Sequence, residues 1–128
     1  MKYILDTSAI LANLGKEKSS AKLASFKSGS AIPFIALTEL YHITWQKKGK
    51  VTADKTYGVV KAWQLPMLLP DEKIILTAGR FKVNYHLGIA DSFIIYFAYN
   101  RKCSLVTKDP DYEVLKDEVK NFYGFELS

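Results

Sequence analysis

The chain has 128 residues, of which 48% are hydrophobic. It can therefore bury one compact core but is too short to form two domains, each with its own core. No apolar run approaches the roughly 18 consecutive residues of a membrane span, and the first residues lack the apolar stretch of a signal peptide. We therefore expect a single domain over residues 1–128, located in the cytoplasm and without a membrane segment.

The first quarter of the chain alternates strand and helix signals. Residues 3–5 predict a buried strand, and the apolar spacing that follows predicts a helix. Ser19 or Ser20 can cap a second helix, which ends near Gly29. Because proline disfavours helical backbone in the residue before it, residues 31–34 predict a short extended segment.

The middle of the chain predicts two helices and another extended run. Apolar residues recur at helical spacing from about Ala36, and Gly49 supplies a stop signal. Thr52 can cap the next helix, which ends before the extended residues 65–69.

The last part of the chain repeats this alternation. Asp71 opens a helix that Gly88 breaks, and its predicted apolar stripe consists of Ile74, Ile75, Ala78, Phe81 and Tyr85. A very apolar helix headed by Asp91 follows, and its composition predicts burial on most sides. Residues 104–107 predict a strand, and a last strand is expected within residues 119–127. This alternation predicts an α/β fold with a mainly parallel central sheet flanked by helices on both faces.

Four carboxylates share one kind of position in this pattern. Asp6 and Asp109 follow predicted strands, whereas Glu39 and Asp91 lie in the first turns of predicted helices. The carboxyl ends of parallel strands form the usual ligand crevice of an α/β sheet, so the four side chains are expected to face it. Gathering four negative charges is unfavourable without a bound cation. Because oxygen ligands favour Mg²⁺ or Mn²⁺, we expect one or two of these ions at the site. The single cysteine, Cys103, is expected to be a small buried residue rather than a ligand.

Hydroxyl groups beside these acids are candidates for supporting the metal ligands. Thr7, Ser8, Thr38 and Thr107 could hydrogen-bond ligand oxygens or bound water, although helix capping explains them equally well. Asp111 is a further candidate beside Asp109, in a sequence that also suits a turn. Each of the four acids taken singly could likewise be a cap or a turn residue.

A metal held by carboxylates suits phosphodiester hydrolysis, which needs an activated water and a stabilised leaving oxygen. His42 and His86 lie in helical contexts and form no recognisable triad. When the four acids are set aside, nine of the 13 acidic residues remain against 18 lysines and arginines. Such a basic exterior can attract a polyanion, although solubility is an equal explanation.

The chain resembles a PIN domain of the VapC toxin group in four motifs that occur in the order of that family: Asp6-Thr7-Ser8, Thr38-Glu39-Leu40, Ala90-Asp91-Ser92 and Thr107-Lys108-Asp109. The resemblance implies a magnesium- or manganese-dependent ribonuclease whose acidic positions are Asp6, Glu39, Asp91 and Asp109. It also implies an RNA substrate, a cognate antitoxin protein and a homodimer.

Two other classes of protein remain open. One is a PIN-like module that binds RNA or protein without catalysis, through basic residues such as Lys47, Lys48 and Arg101. The other is a phosphorylation-dependent receiver domain, although the paired acids expected after its first strand are not evident. Trp45 and Trp63 could form a dimer contact or belong to the core.

Overall fold

The computed structural model describes residues 2–15 and 29–107. Within these residues the chain forms, in order, β1 (Tyr3–Leu5), α1 (Thr7–Gly15), β2 (Ser30–Pro33), α2 (Phe34–Lys48), α3 (Lys50–Ala62), β3 (Met67–Leu68), α4 (Glu72–Tyr85), α5 (Ile89–Arg101) and β4 (Ser104–Val106). The helix predicted after Ser19, and the turn and strand predicted beyond residue 107, lie outside the described residues.

The four strands form one parallel sheet in the order β3-β2-β1-β4. In its register, Leu5 of β1 pairs with Val106 of β4, so these two strands end level with each other. The residues that follow them, Asp6 and Thr107, therefore lie side by side at the carboxyl edge of the sheet. The predicted parallel sheet is confirmed.

The hydrophobic core lies on both faces of this sheet. Successive side chains of a strand point to opposite faces, yet Ile4 and Leu5 are both at most 2% exposed, and Leu105 and Val106 are both fully buried. Helix α5 packs against β1, β2 and β4 and contributes the fully buried Phe97. The prediction of an α/β fold with a very apolar helix after Asp91 is therefore confirmed.

The junction between α2 and α3 differs from its prediction. Helix α3 begins at Lys50, so Thr52 lies inside the helix and the prediction that it is the cap was wrong. Gly49 ends one helix and starts the next, because its N–H donates to Trp45 and its carbonyl accepts from Ala53. Its φ of 89° is strained for any residue with a Cβ, which explains glycine at this position.

Helix α4 is capped as predicted but ends earlier. The Asp71 carboxylate accepts a hydrogen bond from the Ile74 N–H at 2.8 Å. The helix ends at Tyr85, because His86 adopts a left-handed conformation, and Gly88 is instead the residue before α5. The predicted apolar stripe was too wide, since Ile75 is 49% exposed.

Other expectations concern single residues. Cys103 is buried as expected, and this burial raises the pKa of its thiol. Trp63 packs against the core, whereas Trp45 is 45% exposed. Across residues 2–15 and 29–107, no helix has the length and apolar character required to cross a membrane.

Candidate active site

Asp6 occupies the junction between β1 and α1. Its backbone N–H donates to the Val106 carbonyl at 3.2 Å, and its own carbonyl accepts from the Ile10 N–H at 3.1 Å. Its carboxylate Oδ1 accepts hydrogen bonds from the Ser8 hydroxyl at 2.7 Å and from the Ala9 N–H at 2.9 Å. Asp6 therefore caps α1, while the residue as a whole is only 2% exposed.

Thr107 holds the second oxygen of the Asp6 carboxylate. Its hydroxyl donates to Asp6 Oδ2, and it lies 3.3 Å from the Ser8 hydroxyl. Thr107 is fully buried at the end of β4, so the contact is shielded from water. The hydrogen bonds from Ser8, Ala9 and Thr107 together fix the orientation of the Asp6 carboxylate.

Thr7 connects Glu39 to this edge of the sheet. Its hydroxyl donates to Glu39 Oε1 at 2.8 Å, joining the first residue of α1 to the second turn of α2. Glu39 is half-buried. Because Thr7 adjoins Asp6 in the chain, this bond places Asp6 and Glu39 in the same part of the molecule.

Asp91 is the third residue of α5. Its Oδ2 lies 3.6 Å from where a Cβ on Gly88 would be, so the carboxylate turns back towards the start of the helix, where the helix dipole stabilises negative charge. The N–H and the hydroxyl of Ser92 both donate to the Gly88 carbonyl and hold this first turn. Since α5 packs on the sheet and ends just before β4 begins, its start points towards the carboxyl edge.

Asp6 thus lies at the carboxyl edge of the sheet, Glu39 is linked to this edge through Thr7, and Asp91 lies at the end of α5 that points towards it. Within residues 2–15 and 29–107, no three Asp, Glu, His or Cys side chains approach closely enough to hold a metal ion. Asp109 and Asp111 lie outside the described residues. The convergence of all four carboxylates therefore stays a prediction, whereas the oxygen donors of Asp6, Glu39 and Asp91 are of the type that Mg²⁺ and Mn²⁺ prefer.

The hydroxyl residues named from the sequence fall into two groups. Thr7, Ser8 and Thr107 contact the Asp6 or Glu39 carboxylate. Thr38 is exposed, and its hydroxyl donates to the Phe34 carbonyl in its own helix, at 3.4 Å. The support that these groups would give to a bound metal is untested and stays a prediction.

Sequence reasoning missed a surface network between α2 and α3. The Tyr41 hydroxyl donates to Asp54, and the Lys50 ammonium lies 2.9 Å from the other Asp54 oxygen. The hydrogen bond from Tyr41, followed by the one from Lys50, holds the pKa of Asp54 below its usual value. The i,i+4 spacing of Lys50 and Asp54 is visible in the sequence, whereas the contribution of Tyr41 depends on how the helices pack.

The sequence matches the PIN domain family over residues 3–118, and the chain belongs to this family. The predicted PIN domain is confirmed, which sets the chain apart from receiver domains. No curated protein matches the sequence significantly.

Several solved structures share the fold over nearly the whole chain. One is VapBC2 from Rickettsia felis bound to a DNA fragment from its promoter, with a TM-score of 0.71, 20% identity, and coverage of 100% of this chain and 98% of the other. VapBC-1 from nontypeable Haemophilus influenzae gives a TM-score of 0.69 at 19% identity, covering 100% and 97% of the two chains. PAE2754 from Pyrobaculum aerophilum gives 0.68 at 16% identity, covering 98% of each.

Proposed function

We propose that this PIN domain is a divalent-metal-dependent endoribonuclease and the toxin component of a type II toxin–antitoxin pair. The observation that carries the proposal is the Asp6 carboxylate, which is buried at the carboxyl edge of the sheet and oriented by hydrogen bonds from Ser8, Ala9 and Thr107. The Thr7 bond to Glu39 adds a second carboxylate to the same edge. Two carboxylates near one edge of the sheet support the proposal that a divalent cation binds there.

The residues that would hold Mg²⁺ or Mn²⁺ are Asp6, Glu39, Asp91 and, by the sequence pattern, Asp109. When bound, a divalent cation supplies positive charge that makes water easier to deprotonate and that offsets charge on the leaving oxygen.

The side chains of this protein have separate tasks in that reaction. Ser8 and Thr107 fix the rotamer of the Asp6 carboxylate, so its lone pairs keep one direction while substrate enters. The Thr7 hydroxyl donates a hydrogen bond to Oε1 of Glu39. The other oxygen of this half-buried carboxylate would orient the attacking water by accepting a hydrogen bond from it. Asp91 adds negative charge from the start of α5.

The proposed RNA substrate is supported by charge and by family membership. The formal net charge of the chain is +5, although the proposed site is acidic, so the rest of the surface is strongly basic. Basic residues around an acidic pocket attract a polyanion that the pocket alone would repel.

The proposed partners follow from the similar structures. Three of them are VapBC structures and another is described as a toxin–antitoxin complex from Klebsiella pneumoniae. By analogy with these complexes, we infer a cognate antitoxin protein for this chain, whereas the homodimer and the cytoplasmic location stay predictions from the sequence. Co-purification of the chain with the product of an adjacent gene would test the antitoxin partner.

The catalytic proposal is tested by incubating single-stranded RNA with the native protein and with Asp6→Asn, in Mg²⁺, in Mn²⁺ and in EDTA. We expect the variant to cleave about 100-fold more slowly or worse, because it loses the central carboxylate charge. Asp54→Asn is the matched control, since it removes an exposed carboxylate on α3 and should cleave like the native protein.

Equal cleavage by native protein and Asp6→Asn, or undiminished cleavage in EDTA, would refute this centre. Salt-sensitive RNA binding by the native protein without turnover at any metal concentration would indicate the binding-only PIN module instead.

A further inference from the structure

A cleft of about 680 Å³ runs between α4 and α5, outside the acidic site. Its wall combines aromatic rings from both helices with two cationic side chains from α4. The rings are those of Phe81, Tyr85, Tyr96 and Tyr99, and the cations are Lys73 and Arg80.

The four rings form a continuous cluster with one exposed member. Phe81 stacks on Tyr85 with centroids 5.6 Å apart, and Tyr96 stacks on Tyr99 with centroids 6.0 Å apart. Phe81 joins the two pairs, since its centroid is 5.6 Å from that of Tyr96. Tyr96 is only 6% exposed, whereas Tyr99 is 39% exposed. Tyr99 is therefore an exposed ring that packs against the buried Tyr96.

The cations are spaced to contact a repeating anion. Lys73 and Arg80 are seven residues apart, which places them on the same face of α4 and roughly 10 Å apart along its axis. Both are exposed. Glu72 also lines the cleft, so the charged side chains among the described lining residues sum to a net positive charge. Supported aromatic rings beside separated cations are the combination that binds single-stranded nucleic acid, through base stacking and phosphate contacts.

The cleft leads towards the acidic site. Tyr85 is the last residue of α4, and only the turn of residues 86–88 separates it from α5, whose third residue is Asp91. Lys82 donates to the Leu87 carbonyl at 3.2 Å and ties this turn to α4. Asp91 and Tyr99 are eight residues apart, or about 12 Å along α5. A single-stranded RNA that lies in the cleft can therefore continue to the proposed reaction site.

We propose that the cleft between α4 and α5 binds a single-stranded segment of the RNA substrate beside the cleaved bond. One base stacks on Tyr99, while Lys73 and Arg80 contact the phosphates. This inference rests on the proposed ribonuclease function and adds to it a substrate-positioning surface outside the carboxylates.

The first test measures RNA binding without turnover. A fluorescein-labelled single-stranded RNA of about 12 nucleotides is titrated with the full chain in EDTA. Tyr99→Leu and Arg80→Gln should each raise Kd about tenfold, because one loses a stacking face and the other a phosphate contact. Arg80→Gln should also reduce the slope of log Kd against log salt by about one.

Matched controls separate these effects from loss of folding. Tyr99→Phe keeps the ring and should bind like the native protein, and Trp45→Leu removes an exposed ring elsewhere. Lys61→Gln removes an exposed cation from α3. All three controls should leave Kd within about twofold, and thermal unfolding should show each protein folded at the assay temperature.

The second test measures cleavage with Mg²⁺ or Mn²⁺ present. Tyr99→Leu and Arg80→Gln should raise KM for single-stranded RNA about tenfold and leave kcat unchanged, since neither side chain reaches the reacting bond. If the native chain cleaves RNA while both variants keep native Kd and KM, the cleft inference is overturned and the ribonuclease proposal stands.

Two further outcomes are also decisive. If no RNA is cleaved but both variants still weaken binding, the ribonuclease proposal fails and the cleft remains an RNA-binding surface. Leu76, which lines the cleft and is 67% exposed, could instead contact a second copy of the chain. Sedimentation showing that Tyr99→Leu dissociates a dimer without changing Kd for RNA would overturn the inference.

Discussion

Replacing Thr107 with valine removes one hydroxyl and almost no volume from the centre of the proposed active site. The hydroxyl donates to the Asp6 carboxylate, and both residues are at most 2% exposed. A hydrogen bond to a charged group contributes about 1.5–3 kcal/mol, and a buried carboxylate that loses a donor recovers little from solvent. We therefore expect Thr107→Val to lower the free energy of unfolding at pH 7 by about 2 kcal/mol. For a domain of this size the corresponding fall in Tm is roughly 6–10 °C.

A double-mutant cycle isolates this interaction. The free energy of unfolding is measured in urea for the native protein, Thr107→Val, Asp6→Ala and the double variant. Because Asp6→Ala removes the acceptor, the valine substitution should then cost at most about 0.5 kcal/mol, which gives a coupling energy of about 1.5 kcal/mol or more. Thr44→Val, a buried threonine of α2, is the matched control for the loss of a hydroxyl.

A coupling energy below about 0.5 kcal/mol would refute the view that Thr107 holds the carboxylate. The same conclusion would follow if Thr44→Val and Thr107→Val shifted the urea midpoint equally, because the effect would then belong to any buried threonine of this chain.

Two other substitutions test the surroundings of the site. Thr7→Val removes the donor to Glu39 and should slow RNA cleavage about tenfold. Thr38→Val, at an exposed threonine of α2, is the control and should cleave RNA like the native protein. Equal cleavage rates for the two variants would contradict a positioning role for Thr7. Asp54→Asn should lower Tm slightly at pH 7, because hydrogen bonding from Tyr41 lowers the pKa of Asp54 in the folded protein. That stabilisation is present above the usual pKa of 3.8 and is lost as pH falls through the lower folded value, so the Tm difference should shrink on acidification. A Tm difference that grew below pH 3.8 would oppose this assignment.

Local signals in the sequence were sufficient for most of the elements. The cap at Asp71 involves an N–H only three residues away, so the sequence contains both partners within one turn. The prediction that Thr52 caps α3 was wrong because Gly49, with its positive φ, allows α3 to begin immediately after α2. In the sequence, Gly49 was visible only as the end of α2 and not as the start of the next helix. Ile75 failed as a core residue because periodicity predicts the direction of a helix face but not how far its neighbours extend over it.

The position of Asp6 was predictable from the sequence, but its contacts were not. The rule for parallel sheets places Asp6 at the carboxyl edge without any knowledge of its neighbours. The bonds that hold it depend on residues far away in sequence, since Thr107 is 101 residues from Asp6 and Thr7 is 32 residues from Glu39. Such pairs follow from strand register and helix packing, which composition and periodicity do not determine.

The groups that contact Asp6 affect both the orientation and the charge of its carboxylate. A lysine beside this carboxylate would fix its position equally well, but it would also cancel the charge that attracts a divalent ion. The hydroxyls of Ser8 and Thr107 and the N–H of Ala9 fix the position while leaving the formal charge unchanged. They also partly offset the cost of burying that charge, because each hydrogen bond stabilises the ionised form. These donors therefore hold the Asp6 carboxylate in one orientation without themselves neutralising it, which is compatible with the cation-binding role proposed for it.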